Sequence, residues 1–284
     1  MNHWVNLAFL WALQAIASPN PYALRVGEKA AKRLHLQHSI LKRDFENHLL
    51  EAGLKRDMTV LEIGGGTGLM ACWVANFVGE NGRVVVVDKS QEQLEIAQEQ
   101  ARIHGIQNIE FICCDIHDFD WEPNSIDFIY CRFLLMHLTD PLSIVKKMSS
   151  FLKKGGVFAA QEPINSYMYL YPENTPFIET VKSHLQNTSL RHGVDYDLGK
   201  KLHTLFFQAG YHPIQLHFSQ RAIPILQMKD LLLQFFDDIG PAALRSEAIS
   251  KEDLIAQVLS IQNYPEKEDS YFVMPQQAHV TAHK

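Results

Sequence analysis

The sequence predicts an α/β protein in which an open parallel β-sheet carries helices on both of its faces. Two observations support this fold class. Short and almost uniformly apolar runs such as "MTVLEI" and "RVVVVD" are typical of strands that are buried on both faces of a parallel sheet. Helical segments alternate with these runs through short connections, as expected when each crossover helix packs back on the sheet.

The elements follow one another in a regular order up to residue 162. A helix is predicted for residues 30–50, because Leu34, Leu41 and Phe45 recur on one side of it. The predicted strands are 58–63, 83–88, 109–115, 125–131 and 155–162. The predicted helices between them are 67–78, 90–104 and 140–151.

The alternation is interrupted twice in the second half of the chain. Residues 163–193 are rich in aromatic residues and prolines, and residues 222–263 indicate two helices of an insertion. The remaining predicted elements are a helix at 197–209, a strand at 212–218 and a last strand at 271–284. The predicted organisation is a helical cap over 1–50 and one α/β domain over 51–284, with lid insertions at about 163–195 and 219–270.

Within the first insertion Tyr167, Tyr169 and Tyr171 alternate along the chain, so they share one face if the segment is extended. These tyrosines are interpreted either as part of a lid over a bound molecule or as a loop that packs on its own core.

Composition argues against several kinds of function. The chain has 26 Lys and Arg and 32 Asp and Glu, and this net charge of −6 gives no electrostatic footprint for nucleic acid. None of the four cysteines has CxxC spacing, so neither a zinc site nor a disulfide framework is predicted. We therefore expect no metal, and reduced thiols typical of a cytoplasmic protein.

The N-terminal segment "MNHWVNLAFLWALQAIASPNP" contains an apolar run that is too short to span a membrane. No Lys or Arg precedes this run, whereas a signal peptide begins with positive charge. Trp4, Leu7 and Trp11 fit one side of an amphipathic helix. We expect a packing helix or a homodimer contact here, and a signal peptide is the alternative.

The stretch "VLEIGGGTGL" predicts a ligand-binding turn between the strand that ends at Ile63 and the next helix. Glycine there permits positive φ and lets a ligand approach the backbone, while the helix N-terminus offers free N–H donors. Asp88 ends the following strand, where an acid can accept both ribose hydroxyls of a nucleoside. Together these residues indicate a cofactor that contains a nucleoside.

The glycines alone do not decide which cofactor this is. The dinucleotide pattern GxGxxG fails in one frame at Leu69 and passes in another with Ala71 in the last place. Tyr196 and Lys200 have the YxxxK spacing of short-chain dehydrogenases. However, the serine of that family is expected at the end of the fifth strand, and Ser183 lies well beyond it.

The run from Glu62 to Gly68, "EIGGGTG", resembles the E/D-x-G-x-G-x-G signature of S-adenosylmethionine-dependent methyltransferases of the Rossmann-like class. The resemblance extends from about residue 22 to the C-terminus, and the segments "RVVVVDKS", "IEFICCDIHDFDW" and "FIYCRFLLMHLTDP" follow the order and spacing of the family. The segments "YALRVGEKAAKRLHLQ" and "DYDLGKKLHTLFFQAGY" are similar to a bacterial subgroup that acts on small molecules. The resemblance implies a doubly wound, seven-stranded sheet whose last strand is antiparallel.

The resemblance also implies roles for individual residues toward S-adenosyl-L-methionine. Around the methionine part and the ribose it places Glu62, Gly64, Gly66, Gly68, Asp88, Cys131 and Arg132. Around the adenine it places Lys89, Asp115 and the backbone N–H of Ile116. Tyr22 and Arg25 would cover the cofactor from the N-terminal region.

Two residues are candidates for handling the methyl acceptor. His137 follows the fourth strand on the crevice side and is the predicted base or positioning group. Glu162 ends the fifth strand before Pro163 and is predicted to orient the acceptor. The favoured function is methyl transfer to a small molecule, and the sequence does not decide which atom is methylated. The alternatives are an NAD(P)-dependent oxidoreductase of the short-chain type and a non-catalytic S-adenosylmethionine-binding regulator.

Overall fold

The computed structural model describes residues 28–172, 176–245, 249–264 and 269–284. Its strands are β1 (Thr59–Ile63), β2 (Arg83–Asp88), β3 (Ile109–Cys113), β4 (Ile126–Arg132), β5 (Leu152–Ile164), β6 (Tyr169–Tyr171), β7 (Ile214–Ser219), β8 (Ala222–Pro224), β9 (Tyr271–Val273) and β10 (Gln276–His283). Its α-helices are α1 (Glu28–Glu51), α2 (Leu69–Val78), α3 (Gln91–Ile103), α4 (Pro141–Phe151), α5 (Pro176–His192), α6 (Leu202–Gln208), α7 (Ile225–Arg245) and α8 (Lys251–Gln262). Three short 3₁₀ turns, Leu135–His137, Asn165–Tyr167 and Leu198–Lys201, complete the described elements.

Seven strands form the main sheet in the order β3-β2-β1-β4-β5-β10-β7. The first five strands of the chain are parallel, whereas β10 runs antiparallel to both β5 and β7. This topology confirms the predicted doubly wound, mostly parallel sheet with an antiparallel last strand. The chain moves outward from β1 to β3 and then returns to the other side of β1 with β4, so a crevice opens beside the carboxyl end of β1.

Successive side chains of the central strands enter two different cores, which explains why the strands are apolar at every position. One core contains Val60, Val84, Val86 and Tyr130 with Phe45 of α1 and Val74 of α2. The other contains Leu61, Val85, Val87 and Ile129 with Ile144 of α4 and Phe206 of α6. The sheet is therefore covered on both faces, and its loops at the carboxyl edge are held by two packed layers.

A third core lies beyond the carboxyl edge and belongs to the insertions. The short strands β6, β9 and β8 form a separate three-stranded sheet. Its buried side chains, such as Leu170 and Phe272, pack with Val181 of α5, Met228 of α7 and Leu41 of α1. The two predicted insertions thus build one layer together with the first described helix.

Helix α5 was not predicted, because residues 163–193 were interpreted as a break in the pattern. The helix begins at Pro176. Proline is favoured in the first turn because N–H groups there have no acceptor within the helix, so a residue without an N–H loses no hydrogen bond. The buried residues Ile178 and Val181 and the half-buried Leu185 have helical spacing, and this signal was available in the sequence.

The predicted last strand and the tyrosine segment differ from the structure. Residues 271–284 do not form one strand, because β9 belongs to the small sheet and β10 to the main sheet, with Met274 and Pro275 between them. Tyr167, Tyr169 and Tyr171 are exposed, while Leu170 is buried between the last two. The tyrosines therefore face solvent and are not part of the inner wall of a lid.

Several predictions concern residues that precede Glu28. The N-terminal amphipathic helix and the residues Tyr22 and Arg25 lie outside the described residues, so their predicted roles stay predictions. Among the helices that are described, none combines the length and the apolar content needed to cross a membrane.

Candidate functional site

A cavity of about 660 Å³ lies at the carboxyl edge of the sheet, beside the end of β1. This volume is in the range of small-molecule and cofactor sites. The β1–α2 turn and the ends of β2 and β4 form its floor, α1 forms one wall, and α5, α7 and the small sheet line it from above. The cavity therefore joins the predicted crevice to both predicted lid insertions.

The β1–α2 turn is rich in glycine, and at Gly68 a neighbouring helix leaves no room for a side chain. Gly68 is the N-cap of α2 and has a left-handed conformation with φ of 73°. A Cβ atom on Gly68 would lie 2.6 Å from the Cβ of Ala97 in α3, so any other residue would push these two helices apart. Gly66 also has positive φ, of 52°, but a Cβ there would meet nothing within 4 Å. The space over Gly66 is the cavity itself.

Asp88 fixes the shape of this turn from the end of the neighbouring strand. One carboxylate oxygen accepts the N–H of Gly66 at 2.9 Å, and the other accepts the N–H of Ser90 at 2.9 Å. A carboxylate offers about four lone-pair sites, so acceptor positions remain on both oxygens for hydroxyl donors. Asp88 is half-buried and lines the cavity, as the predicted ribose-binding role requires.

Glu62 and Arg132 lie deeper in the floor, and both line the cavity. Burial raises the pKa of Glu62 to about 8, partly offset by the neighbouring Tyr130 hydroxyl and by the Arg132 guanidinium. One Glu62 oxygen, Oε2, and one Arg132 nitrogen, Nη1, are buried without a hydrogen-bond partner among the described residues. Unsatisfied buried groups of this kind are costly unless a ligand supplies their partners.

The wall formed by helix α1 brings residues to Arg132 that the sequence did not predict. Nη2 of Arg132 lies 3.2 Å from Nδ1 of His38, and its guanidinium also lies over the ring of Phe45 at 5.5 Å. A guanidinium can only donate, so Nδ1 of His38 accepts and the proton of the neutral ring is on Nε2. Burial, followed by the charge of Arg132, lowers the pKa of His38 to about 4. Arg33 and Gln37 of the same helix also line the cavity.

The predicted adenine-binding residues are only partly brought to the cavity. Lys89 lines it, whereas Asp115 and the buried Ile116, which follow β3, do not. Oδ1 of Asp115 lies within 3.0 Å of the backbone N–H of His117 and 2.7 Å of its ring nitrogen Nδ1. The N–H and then the ring of His117 lower the pKa of Asp115. Cys131 is fully buried in the sheet core and does not reach the cavity surface.

His137 lines the cavity from the 3₁₀ turn after β4. Its ring meets the ring of Tyr196 edge to face at a centroid distance of 5.4 Å. Burial lowers the pKa of His137 to about 4, and the charges of Lys89 and Arg33 act in the same direction. The imidazole is therefore neutral near pH 7.

Glu162 does not occupy the predicted place at the mouth of the crevice. Its side chain is fully buried, and it is absent from the cavity lining. Its oxygens accept the backbone N–H groups of Leu134 at 3.0 Å, Leu135 at 2.8 Å and Met136 at 3.3 Å. Glu162 thus holds the turn that carries His137 instead of facing an acceptor, which corrects the prediction.

The Tyr196–Lys200 pair does not form the arrangement that a dehydrogenase requires. Tyr196 lines the cavity, but Nζ of Lys200 lies 2.8 Å from Oδ2 of Asp197 and 2.8 Å from Oγ of Ser166. Lys200 does not line the cavity, so its ammonium is not beside Tyr196 in the site. The YxxxK spacing therefore reflects a 3₁₀ turn with a local ion pair.

The upper half of the cavity is mainly apolar. The lid lines it with Met168, Ile178, Val181, Leu185, Met228, Leu231, Phe272 and Met274. Its polar members include Asn165, Thr188 and His184, whose Nδ1 has no partner among the described residues. The sequence did not predict which lid residues face inward, because these contacts join segments that are far apart in the chain.

The seven-stranded sheet with an antiparallel last strand, and a glycine turn at its switch point, define a Rossmann-like methyltransferase fold. A family model described as "Methyltransferase domain" matches residues 54–210, and the chain belongs to this family.

Among curated relatives, the chain is 30% identical over 145 residues to the ubiquinone/menaquinone biosynthesis C-methyltransferase of Escherichia coli. This match covers 45% of the chain and 58% of that protein, so the chain spans little more than half the length of the relative.

Solved structures show the same fold at low identity. The YcgJ protein of Bacillus subtilis is 18% identical with a TM-score of 0.56, covering 83% of this chain and 95% of that chain. Phosphoethanolamine N-methyltransferase 2 of Haemonchus contortus, in complex with S-adenosyl-L-methionine, is 20% identical with a TM-score of 0.50. That likeness covers 81% of this chain and 49% of the other.

The close contact at Gly68 generates a prediction about stability. Gly68→Ala and Gly105→Ala both place alanine at positive φ, but a Cβ at Gly105 meets nothing within 4 Å. We expect Gly68→Ala to lower the free energy of unfolding by about 1–3 kcal/mol more than Gly105→Ala, because only the first variant overpacks the α2–α3 contact. Denaturant unfolding of both variants measures the difference. Equal losses would mean that backbone strain alone requires glycine at position 68.

Proposed function

We propose that this protein is an S-adenosylmethionine-dependent methyltransferase whose acceptor is a small and largely apolar molecule. The observation that carries the proposal is one cavity with two chemically different ends. A glycine turn with Asp88 and Glu62 lies at the sheet end, and methionine, leucine and phenylalanine side chains lie at the lid end. Membership of the methyltransferase domain family supports the same reaction.

The residues of the sheet end fit the cofactor. The open space over Gly66 admits a ligand against the backbone, and Asp88 has free lone pairs for the two ribose hydroxyls. The unpaired oxygen of Glu62 would accept from the α-amino group, and the unpaired nitrogen of Arg132 would donate to the carboxylate. The roles of Lys89, Asp115 and Ile116 beside the adenine remain part of this proposal.

The bound cofactor supplies an electrophilic methyl group, and the chain supplies alignment and exclusion of water. The lid walls exclude water because they are apolar, and they favour an apolar acceptor by the same property. His137 lies in this cavity as a neutral imidazole, so it is placed to take a proton from an acceptor that must lose one. Glu162 holds the turn that carries His137 and is therefore a positioning residue.

The relatives do not decide which atom is methylated. The relative from Escherichia coli is named a C-methyltransferase, and the Haemonchus contortus protein is named an N-methyltransferase. The choice therefore depends on the lid residues of this chain. A homodimer through the N-terminal segment and a cytoplasmic location are further parts of the proposal, supported by the sequence pattern alone.

The reaction is tested by incubating the full chain with methyl-labelled S-adenosylmethionine and a metabolite extract, followed by mass identification of labelled products. A labelled small molecule is the expected result. Tight cofactor binding without any labelled product would favour the non-catalytic regulator. Heat of binding with NADPH, and none with S-adenosylmethionine, would favour the oxidoreductase.

The contribution of Asp88 is measured by calorimetric titration with S-adenosylmethionine. We expect Asp88→Ala to weaken binding by about 10- to 100-fold, because hydrogen bonds to a charged group contribute about 1.5–3 kcal/mol. Asp118→Ala, an exposed aspartate beyond β3, is the control and should bind as the unchanged protein does. Unchanged affinity in Asp88→Ala would place the nucleoside elsewhere.

The raised pKa of Glu62 predicts that cofactor binding releases protons. With a pKa of about 8 the free carboxyl is mainly protonated at pH 7, and the cation of the α-amino group favours its ionised form. Binding at pH 7 should therefore release up to about one proton, seen as heat that varies with the ionisation enthalpy of the buffer. The release should be absent in Glu62→Gln and retained in Glu92→Gln, an exposed control. Release that persists in Glu62→Gln would assign the proton to another group.

A role of His137 in catalysis predicts a selective loss of turnover. We expect His137→Ala to lower kcat by about 10²- to 10⁴-fold, the usual contribution of a general base, while cofactor affinity changes little. His192→Ala removes an exposed histidine at the end of α5 and should retain kcat. An unchanged kcat in His137→Ala would limit this residue to packing against Tyr196.

A further inference from the structure

Three histidines from distant parts of the chain meet outside the cavity. His48 lies near the end of α1, His217 on β7 and His279 on β10, and β7 pairs with β10 so that His217 and His279 are direct partners. One ring nitrogen of each lies within 4.8 Å of the others. None of the three lines the cavity at the carboxyl edge.

The hydrogen bonds of the two buried rings leave both Nδ1 atoms available. Nε2 of His48 lies 3.2 Å from the carbonyl oxygen of Val280, which can only accept, so the proton is on Nε2. Nε2 of His279 lies 2.9 Å from the hydroxyl of Ser219, whose oxygen can accept a hydrogen bond from Nε2–H in the same way. The Nδ1 atoms of His48 and His279 are buried and have no hydrogen-bond partner among the described residues.

This arrangement is the one that metal-binding histidines usually have. Histidines that bind a metal through one nitrogen usually donate the other N–H to a carbonyl, a carboxylate or water. Only neutral imidazole binds a metal.

His217 completes the set from the solvent side. It is exposed, and within the described chain no side-chain or backbone group forms a hydrogen bond with its ring. Its ring now stacks on that of His279 at a centroid distance of 4.5 Å and an interplanar angle of 5°. Parallel rings do not point at a common centre, so His217 must rotate about its side-chain bonds, which its exposure allows.

We propose that His48, His217 and His279 bind one Zn²⁺ ion, with water in the fourth position. Three neutral imidazoles at the edge of a protein suit zinc, which takes four ligands in tetrahedral geometry. The ion would join α1 to β7 and β10, and α1 carries Arg33, Gln37 and His38 into the cavity. The site is therefore a clamp that holds one cavity wall against the sheet.

This proposal revises the expectation of no metal, which rests on cysteine spacing. The sequence gives no local signal for the site, because each histidine comes from a different element. The proposal is independent of methyl transfer, since binding of the ion is measured without cofactor or acceptor.

The test is a titration of the untagged full chain with Zn²⁺ after removal of metals by a chelator. We expect one ion per chain, and affinity at least about tenfold weaker in His217→Ala and in Ser219→Ala, which remove a ligand and an outer-shell partner. His203→Ala, an exposed histidine on α6, is the control and should bind as the unchanged protein does. Since His217 is exposed, its alanine variant should unfold at the same temperature as the unchanged protein when no metal is present.

Two further measurements report on the coordination and on the clamp. X-ray absorption of the zinc complex should show three imidazole nitrogens at about 2.0–2.1 Å. Hydrogen exchange of α1 should slow when Zn²⁺ is added to the unchanged protein, and it should not respond in His217→Ala. The proposal is overturned if no ion binds, or if His217→Ala and His203→Ala bind zinc equally well.

Discussion

The close approach of three elements at the end of β1 is the constraint on which the site depends. A Cβ at Gly68 would lie 2.6 Å from the Cβ of Ala97 in α3, and a Cβ at Gly65 would overlap Val86 of β2, so the turn between β1 and α2 requires glycine at both positions. The same closeness lets Asp88 accept the N–H of Gly66. Packing in two cores fixes the strands, the strands fix this contact, and the contact leaves bare glycine backbone facing a cavity.

The cavity keeps polar groups that folding alone does not satisfy. Glu62, Gln93 and Arg132 each have a buried polar atom without a partner among the described residues, and all three line the floor. Such atoms reduce the free energy of unfolding, because on folding they lose their hydrogen bonds to water and form none within the protein. A fold that retains several of them beside an open glycine turn is organised for a polar ligand at this end and not for maximal stability.

The sequence predicted the parts of the fold that are encoded locally. Uniformly apolar strands, a glycine turn and an acid at the end of β2 all depend on neighbours in the chain, and the structure confirms the sheet that they indicate. The buried position of Glu162 and the contribution of α1 to the cavity wall depend on contacts between segments that are far apart in the chain. Local sequence patterns do not show such contacts. Helix α5 is different, because Ile178, Val181 and Leu185 carried a helical signal that the neighbouring prolines and aromatic residues obscured.

Helix α1 connects the cavity with the distant edge of the sheet. Arg132, Gln161, His279 and His217 are register partners in one row across β4, β5, β10 and β7. His38 of α1 contacts Arg132 at one end of this row, and His48 contacts His279 and His217 at the other. These two histidines are about 15 Å apart along a rigid helix at 1.5 Å per residue. Contacts that hold His48 at the sheet edge therefore also restrain the positions of His38 and Arg132. In this way the edge of the sheet helps to shape the cofactor end of the cavity.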